Sequence, residues 1–251
     1  MTERPPDMNA FLAGLSPADF ELFRSHLASF TLSAGDRLHE VGARADEVVF
    51  PHTGLVALTI PMATGAGAGA ILVGRDGVVG ALAAAASVPA VCDAEVLIAG
   101  RAARMSASAF RHALDCSPTV RRLAARFDAA LMAQAQQTAL CNAAHAVEAR
   151  ICRLLLEVND RTGGGAVALT QHAVAQMLGV QRTTVNLALG QLEAAGVIVC
   201  ARGSMQIANR EKLKRASCEC HLHFKACLVD LFAQPVERAP ALDALASRAR
   251  G

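Results

Sequence analysis

The chain has 251 residues, of which 53% are hydrophobic and 18% charged, so it can bury one or two cores and is too apolar to be generally disordered. Its apolar runs stop well short of the roughly 20 residues that a transmembrane helix needs, and the first residues lack the apolar centre of a secretory signal. The net charge of +2 is unevenly distributed, because residues 1–146 hold 11 basic and 13 acidic side chains whereas residues 147–251 hold 13 and 9. We therefore expect a cytoplasmic protein whose C-terminal part is the better match for a polyanion.

The first predicted elements are two short helices within residues 8–30, where Phe and Leu recur at helical spacing. Ser16 followed by Pro17 supplies a cap and a first-turn proline between them. In residues 31–105, short apolar clusters alternate with Gly, Pro and Asp at intervals of roughly 8 to 12 residues. This pattern predicts an all-β unit.

A long helix is predicted after Pro118, because neither Gly nor Pro occurs again before Asn142. Apolar residues recur along it at spacings of three and four, which predicts a homodimer in which two parallel copies of the helix pair. The same stripe could instead pack on the chain's own β unit, and the pattern leaves both arrangements open. The predicted dimerisation residues are Val120, Leu123, Phe127, Ala130, Leu131, Gln134 and Thr138.

The most informative segment follows a further amphipathic helix at residues 147–160. Thr170 can cap a short helix that Gly179 ends in a tight turn, and a second helix begins near Gln181. Two short helices joined by a turn of three or four residues are typical of the helix-turn-helix of DNA-binding proteins. Two short apolar runs around residues 200–204 predict a β-hairpin wing beside the helices.

The second helix of this motif carries the side chains that we expect to contact DNA. Arg and Asn offer bidentate groups for guanine and adenine edges, and the other polar residues reach phosphates or a thymine methyl. Residues at the start of the first helix and in the wing are expected to hold phosphates. The predicted DNA-binding residues are Thr170, Gln171, Gln181, Arg182, Thr183, Thr184, Asn186, Arg202 and Ser204.

Residues 169–185, which read LTQHAVAQMLGVQRTTV, resemble the signature of the Crp/Fnr family of bacterial transcription regulators. The resemblance covers roughly residues 10–228, with weaker matches at AGDRLHEVG (34–42) and GRDGVVGALAA (74–84). It implies an α+β fold with an N-terminal antiparallel, jelly-roll-like β-roll, a long dimerisation helix and a C-terminal winged helix-turn-helix. The expected boundaries are 1–115 for the sensor β-roll with its short helices, 116–146 for the dimerisation helix and hinge, 147–233 for the DNA-binding domain, and 234–251 for a loose tail.

The resemblance implies double-stranded DNA with a near-palindromic operator, a second copy of the chain, RNA polymerase and a small-molecule effector as partners. Two departures from the family's pattern limit it. Cyclic-nucleotide-binding members have Gly-Glu for the ribose and a later Arg for the phosphate, whereas this chain has the candidate pocket residues Gly80, Ala81 and Leu82 and no arginine from there to Ala94. An unneutralised phosphate would pay a desolvation penalty, so cyclic AMP is not expected as the ligand. In the reading helix, the family's usual Glu and second Arg are replaced by Thr183 and Leu187, so the familiar operator cannot be assumed.

The eight cysteines are expected to be reduced thiols, most of them small core residues. No metal site or cofactor is predicted, but Cys220, His223 and Cys227 share a helical face, so an alternative is a thiol- or metal-responsive regulator. Cys218 and Cys220 would point about 200 degrees apart on one helix, which argues against a shared ion. Near the hinge, His145 either caps a helix end or belongs to a hinge that transmits the sensor's state.

An enzyme is not expected. The sequence contains no contiguous Ser/His/Asp arrangement and no paired carboxylates of the kind that catalysis requires.

Overall fold

The N-terminal part of the protein forms two antiparallel sheets with helices packed around them. The structure, a computed structural model, describes residues 8–61, 67–164, 166–201 and 203–233. The strands are β1 (Ala28–Leu32), β2 (Arg37–His39), β3 (Glu47–Pro51), β4 (Leu55–Pro61), β5 (Gly67–Val73), β6 (Asp93–Ile98), β7 (Gly100–Ser106), β8 (Ala166–Val167), β9 (Ile198–Ala201) and β10 (Ser204–Ile207). The helices are α1 (Ala10–Gly14), α2 (Pro17–Arg24), α3 (Ala81–Ala86), α4 (Ala107–Cys116), α5 (Pro118–Ala144), α6 (Val147–Arg161), α7 (Gln171–Leu178), α8 (Arg182–Ala194), α9 (Arg210–Ala216) and α10 (Cys220–Ala233).

The β-roll consists of a three-stranded sheet in the order β1-β7-β3 and a four-stranded sheet in the order β2-β6-β4-β5. Their strand pairs are antiparallel, and side chains of both sheets meet in one core that includes Leu32, Val56 and Val96. The predicted all-β unit is confirmed, with α3 inserted between β5 and β6. The α+β fold class is also confirmed.

A group of phenylalanines joins the N-terminal helices to the β-roll and to α5. Its ring centroids lie 5.3 to 6.3 Å apart, distances at which aromatic pairs add about 0.5–1.5 kcal/mol each beyond area burial. The N-terminal part of α5 is therefore packed firmly against the β-roll and the N-terminal helices. The rings belong to Phe11, Phe23, Phe50, Phe110 and Phe127.

The C-terminal module contains α6 to α9 and a small sheet in the order β8-β10-β9. Its core is continuous with the β-roll, because Leu55, Ala57 and Leu72 pack in the same cluster as residues of α6, α7 and α8. An ion pair also crosses this contact, since Arg161 Nε lies 2.9 Å from Asp76 Oδ2. The β-roll and the C-terminal module therefore share a packed interface.

The last described helix, α10, returns along α5 in the opposite direction. Cys220 at its start lies by the C-terminal end of α5, and the ring of Phe232 near its end is 4.8 Å from the ring of Phe127. The predicted tail at residues 234–251 lies outside the described residues. None of the helices in the described parts of the chain is long and apolar enough to span a membrane.

Candidate DNA-binding surface, sensor cavity and junction cluster

The turn between α7 and α8 has the geometry that the sequence predicts. Thr170 Oγ1 accepts a hydrogen bond of 3.1 Å from the backbone N–H of Ala173 and caps α7. Gly179 ends α7 in the left-handed region, with φ of +64°, and its N–H bonds back to carbonyls of the preceding turn. Glycine adopts this conformation without the steric cost that a Cβ would add, so the sharp angle between the two helices follows from the sequence.

The helix α8 presents a polar, exposed surface at its N-terminal end. Val185, Ala188 and Leu189 anchor its other side in the module's core. Gln181 precedes the helix in an extended conformation and makes no side-chain cap, so the positive end of the helix dipole is open to an anion such as a phosphate. The predicted contact residues on this exposed surface are Gln181, Arg182, Thr183, Thr184 and Asn186.

One further residue of this surface was not among the predicted contacts. Leu187 has 65% of its surface exposed on α8, next to Asn186. An apolar side chain at this place can contact the methyl group of thymine in the major groove. The sequence signal was available, because Leu187 falls outside the helix's buried spacing of Val185 and Leu189.

The wing is formed by β9 and β10, which pair antiparallel with Ser204 opposite Ala201. A hydrogen bond of 2.8 Å from the backbone N–H of Cys200 to Glu193 Oε1 ties the wing to α8. Gln171 and Ser204, both predicted to hold phosphates, are half-buried, whereas Thr170 is exposed. Arg202, another predicted phosphate contact, lies outside the described residues.

A cavity of about 490 Å³ lies between the β-roll and α5, and the predicted pocket residues Gly80, Ala81 and Leu82 line it. Gly80 begins the turn into α3 with φ of +81°, and a Cβ there would come within 2.8 Å of the carbonyl oxygen of Glu47. The wall is otherwise largely apolar. The lining from the β-roll side includes Leu58, Ile60, Ile71, Val78, Val88, Ala90 and Val91, and α5 contributes Leu131, Met132, Ala135 and Ala139.

The titratable groups at this cavity are His39, Cys92 and Asp128, and no Lys or Arg is among its described lining residues. Burial raises the pKa of the Asp128 carboxyl. Burial lowers the pKa of His39, although Asp93 nearby raises it in part. The cavity thus offers no positive charge, and a phosphate placed in it would remain unneutralised.

The predicted dimerisation stripe on α5 lies mostly against the protein's own chain, as the alternative interpretation allowed. Its first members pack with the N-terminal helices and α4, and Leu131 packs with the core between the sheets. The opposite side of α5 is exposed. Val120, Leu123, Phe127, Ala130, Gln134 and Thr138 are all buried within the single chain, and Leu131 is half-buried.

Three cysteines and one histidine meet where α5 ends and α10 begins. We call Cys141, His145, Cys218 and Cys220 the junction cluster; their sulfur and ring nitrogen atoms all lie within 4.8 Å of one another. Cys141 Sγ is 3.6 Å from Cys218 Sγ, and Cys220 Sγ is 3.5 Å from His145 Nδ1. Burial, together with the contact with Cys141, raises the pKa of Cys218 to about 12.

This cluster differs from the candidate set Cys220, His223 and Cys227, of which only Cys220 belongs to it. The expectation that Cys218 and Cys220 point apart assumed one continuous helix through both. In the structure α9 ends at Ala216 and α10 begins at Cys220, so Cys218 lies in the connecting turn and its sulfur can face the same point. His223 is exposed and Cys227 half-buried on α10.

Comparisons with known proteins agree with this architecture. Residues 149–216 match the family model described as a Crp-like helix-turn-helix domain. No curated protein sequence matches the chain significantly.

Among solved structures, FixK2 from Bradyrhizobium japonicum superposes with a TM-score of 0.67 at 20% identity, covering 76% of this chain and 98% of its own. A Crp/Fnr family transcriptional regulator from Thermus thermophilus gives 0.63 at 21% identity, covering 76% and 98%. The global regulator CLP from Xanthomonas campestris, described as responsive to c-di-GMP, gives 0.64 at 14% identity, covering 77% and 100%. The predicted resemblance is confirmed by the helix-turn-helix match and by the fold.

Proposed function

We propose that this protein is a DNA-binding transcription regulator that acts as a sequence-specific homodimer and whose β-roll does not bind cyclic AMP. Two findings support the proposal: residues 149–216 match the Crp-like helix-turn-helix domain, and the chain has the fold of Crp/Fnr regulators. The observation that carries the proposal is the exposed polar surface at the N-terminal end of α8. Val185 and Leu189, on the other side of the helix, are buried in the module and fix this surface toward solvent. Such a helix fits the major groove, and a dimer places two of them about one helical turn apart.

Each side chain of this surface is given a role by its chemistry. Arg182 and Asn186 read base edges, because guanidinium and carboxamide groups make bidentate hydrogen bonds with guanine and adenine. Leu187 contacts a thymine methyl. Gln181 and Thr183 border these contacts, and the phosphate contacts are assigned to Thr170, Gln171, Thr184, Arg202 and Ser204.

The test is DNA binding by an Arg182→Ala variant. Fragments selected from genomic DNA by the purified protein serve as probes in gel-shift titrations. Loss of a bidentate base contact costs about 1–3 kcal/mol, so affinity should fall about 10- to 100-fold per half-site. Arg44→Ala, which removes an exposed arginine of the β unit, is the control and should leave affinity unchanged. Equal affinity of the Arg182→Ala variant and the unchanged protein would contradict the proposal.

The partner copy is placed on the exposed side of α5. Residues recur there at alternating spacings of four and three, the pattern by which two helices pair along a common seam. Most are small or apolar, which allows the two backbones to approach closely. The exposed stripe consists of Ala125, Ala129, Met132, Gln136, Ala139 and Ala143.

The mouth of the cavity supports the same placement. Leu82, Val88 and Val91 are exposed by 43% to 64% and line the cavity together with Met132, which is 60% exposed. Contiguous exposed apolar surface of this kind is typical of an interaction site. A second copy paired along α5 covers this surface and closes the cavity, so the ligand site and the dimer contact are coupled.

An Ala129→Glu variant tests this placement, because it sets two carboxylates opposite each other in the seam. Light scattering should give twice the chain mass for the unchanged protein and a shift to monomer for the variant. Ala43→Glu, the same change on an exposed turn of the β unit, should remain dimeric. A monomeric unchanged protein, or a variant that stays dimeric, would remove the proposed seam.

The sensor is assigned an apolar ligand. A cavity of about 490 Å³ is large enough for a drug-sized molecule, and its described lining is largely apolar and contains no Lys or Arg. Titration calorimetry with cyclic AMP should give no saturable heat, and the gel-shift affinity should not change when cyclic AMP is added. Saturable binding that an Ala81→Phe change abolishes would contradict this assignment.

A further inference from the structure

We propose that the junction cluster is a zinc site in which Cys141, His145, Cys218 and Cys220 are the four ligands. A tetrahedral ion with bonds of about 2.3 Å to sulfur and about 2.0 Å to nitrogen holds its ligand atoms about 3.5–3.8 Å apart. Two of the six separations match this geometry, 3.6 Å between Cys141 Sγ and Cys218 Sγ and 3.5 Å between Cys220 Sγ and His145 Nδ1, and all six are within 4.8 Å, so shifts of about 1 Å would complete the tetrahedron.

The ligand set is complete and enclosed, as in structural zinc sites. Three thiols and one imidazole make a Cys₃His site, one of the common sets for structural zinc, and thiolate ligands favour zinc over magnesium or calcium. Cys141, Cys218 and Cys220 are buried, with 8% exposure at most. With four protein ligands present, no position is left for a substrate, so the site is structural and not catalytic.

The histidine is already oriented for ligation. Its Nδ1 faces Cys220, while its Nε2 lies 3.3 Å from Glu219 Oε1. A carboxylate that accepts a hydrogen bond from the outer nitrogen fixes the ring and the tautomer, leaving the inner nitrogen's lone pair for the metal. Glu219 is thus a positioning residue for His145.

Two buried arginines lie beside such a site; Arg153 is also ion-paired with the buried Glu157, so the positive charge that the site needs comes mainly from Arg150. Three thiolates and a divalent ion carry a net charge of −1, which is costly to bury without a neighbouring cation. Arg150 and Arg153 are both buried and lie close enough to interact electrostatically with Cys141 and Cys218. The Nε atom of each is buried and meets no hydrogen-bond acceptor among the described residues, so each has a donor available for a metal-bound sulfur.

The compactness of the cluster selects a single ion. All four ligand atoms lie within 4.8 Å of one another, which leaves room at the centre for one metal atom and not for an iron-sulfur cluster with its own inorganic core. Zinc binding releases the three thiol protons to solvent, and no electron is transferred. The ion would connect the end of α5 to the turn before α10, 77 residues further along the chain.

The first measurement is the metal content of the full-length protein, purified without a tag and dialysed in reductant against metal-free buffer. We expect about one zinc ion per chain by inductively coupled plasma mass spectrometry. Cys218→Ser should lose the ion, and Glu219→Gln should bind it about tenfold more weakly. Cys227→Ser and His223→Ala change the neighbouring cysteine and histidine of α10 outside the cluster and should keep it.

Cobalt(II) titration of the unchanged, metal-free protein identifies the ligands without relying on any variant's folding. A tetrahedral thiolate site gives intense visible absorption and a sulfur-to-cobalt charge-transfer band, both removed by one equivalent of zinc. Absence of these bands in reduced protein, a disulfide between Cys141 and Cys218 in their place, iron instead of zinc, or loss of the ion in Cys227→Ser would each overturn the proposal. These readouts contain no DNA, so they stand or fall separately from the proposed function.

Discussion

The exposed surface of α8 and the junction cluster differ in how they are assembled. The α8 surface comes from consecutive residues of one helix, is open to solvent, and contributes few contacts to the protein's interior. The junction cluster brings together residues from two distant segments, is buried, and lies beside buried arginines. A contact surface of the first kind can change without affecting folding, whereas a site of the second kind is part of what holds the molecule together.

This difference predicts that DNA affinity and stability respond to separate sets of residues. The helix α10, which begins at Cys220 of the junction cluster, also contacts Asp160 at the end of α6. Asp160 accepts hydrogen bonds from Arg210 and His221, and its Oδ2 lies 3.3 Å from Lys225 Nζ. Three changes test the separation, beginning with the one expected to alter stability most.

Removal of zinc by a chelator should have the largest effect. Zinc at a free concentration of about 1,000 times its dissociation constant stabilises the folded protein by about 4 kcal/mol. For a chain of this size, that corresponds to a fall in Tm of roughly 10 °C, measured by circular dichroism with and without chelator. Cys227→Ser should show the same fall and Cys218→Ser none. A chelator that leaves the Tm of the unchanged protein unaltered would contradict this expectation.

Asp160→Asn should have an intermediate effect. Burial alone would raise the pKa of Asp160, but hydrogen bonds from Arg210 and His221 and the charge of Lys225 lower it below its ordinary value. Removing the charged acceptor should cost about 2 kcal/mol in the free energy of unfolding at pH 7, measured by urea denaturation.

The pH dependence follows from the direction of this shift. Because the pKa in the folded protein is lowered, the stabilisation by Asp160 is fully present above the unfolded value of about 3.9 and is lost as pH falls through the folded value. The difference between variant and unchanged protein should therefore shrink near pH 3. Asp46→Asn, which breaks an exposed pair with Arg44, is the control and should cost less than about 0.5 kcal/mol at either pH. A difference that grows with acidity would show that another group is responsible.

Asn186→Ala should have the smallest effect on stability. The side chain is exposed, so the free energy of unfolding should change by less than about 0.5 kcal/mol. Loss of an adenine contact should nevertheless reduce DNA affinity about 10- to 100-fold in gel-shift titrations. Gln191→Ala, on the same helix but away from its N-terminal end, should alter neither quantity. If the Asn186→Ala variant unfolds at a clearly lower urea concentration than the unchanged protein, then DNA affinity and stability do not depend on separate sets of residues.

The helix-turn-helix could be predicted from the sequence because its determinants are local. Thr170, Gly179 and the buried spacing around Val185 specify a cap, a turn and an anchored helix within a few residues of one another. The candidate cavity residues were also found, since Gly80 begins a turn in a segment that resembles the family's pocket.

The junction cluster could not be predicted in the same way. Cys141 and Cys218 are 77 residues apart, and no periodicity along the chain indicates that their side chains meet. Local spacing also failed to show that a turn separates Cys218 from α10. On α5, the apolar periodicity correctly indicated which face of the helix is buried. Periodicity contains no information, however, on whether the residues that cover this face belong to the same chain or to another.

The return of α10 along α5 determines where the far end of the described chain lies. The ring of Phe232 lies 4.8 Å from that of Phe127, so the last described residues of α10 lie beside the aromatic core that joins α5 to the β-roll. A fluorophore attached there would report on the contact between α10, α5 and the β-roll. For the same reason, the C-terminal module is connected to α5 twice, through α6 and through α10, and both connections restrict how far the module can rotate relative to the β-roll.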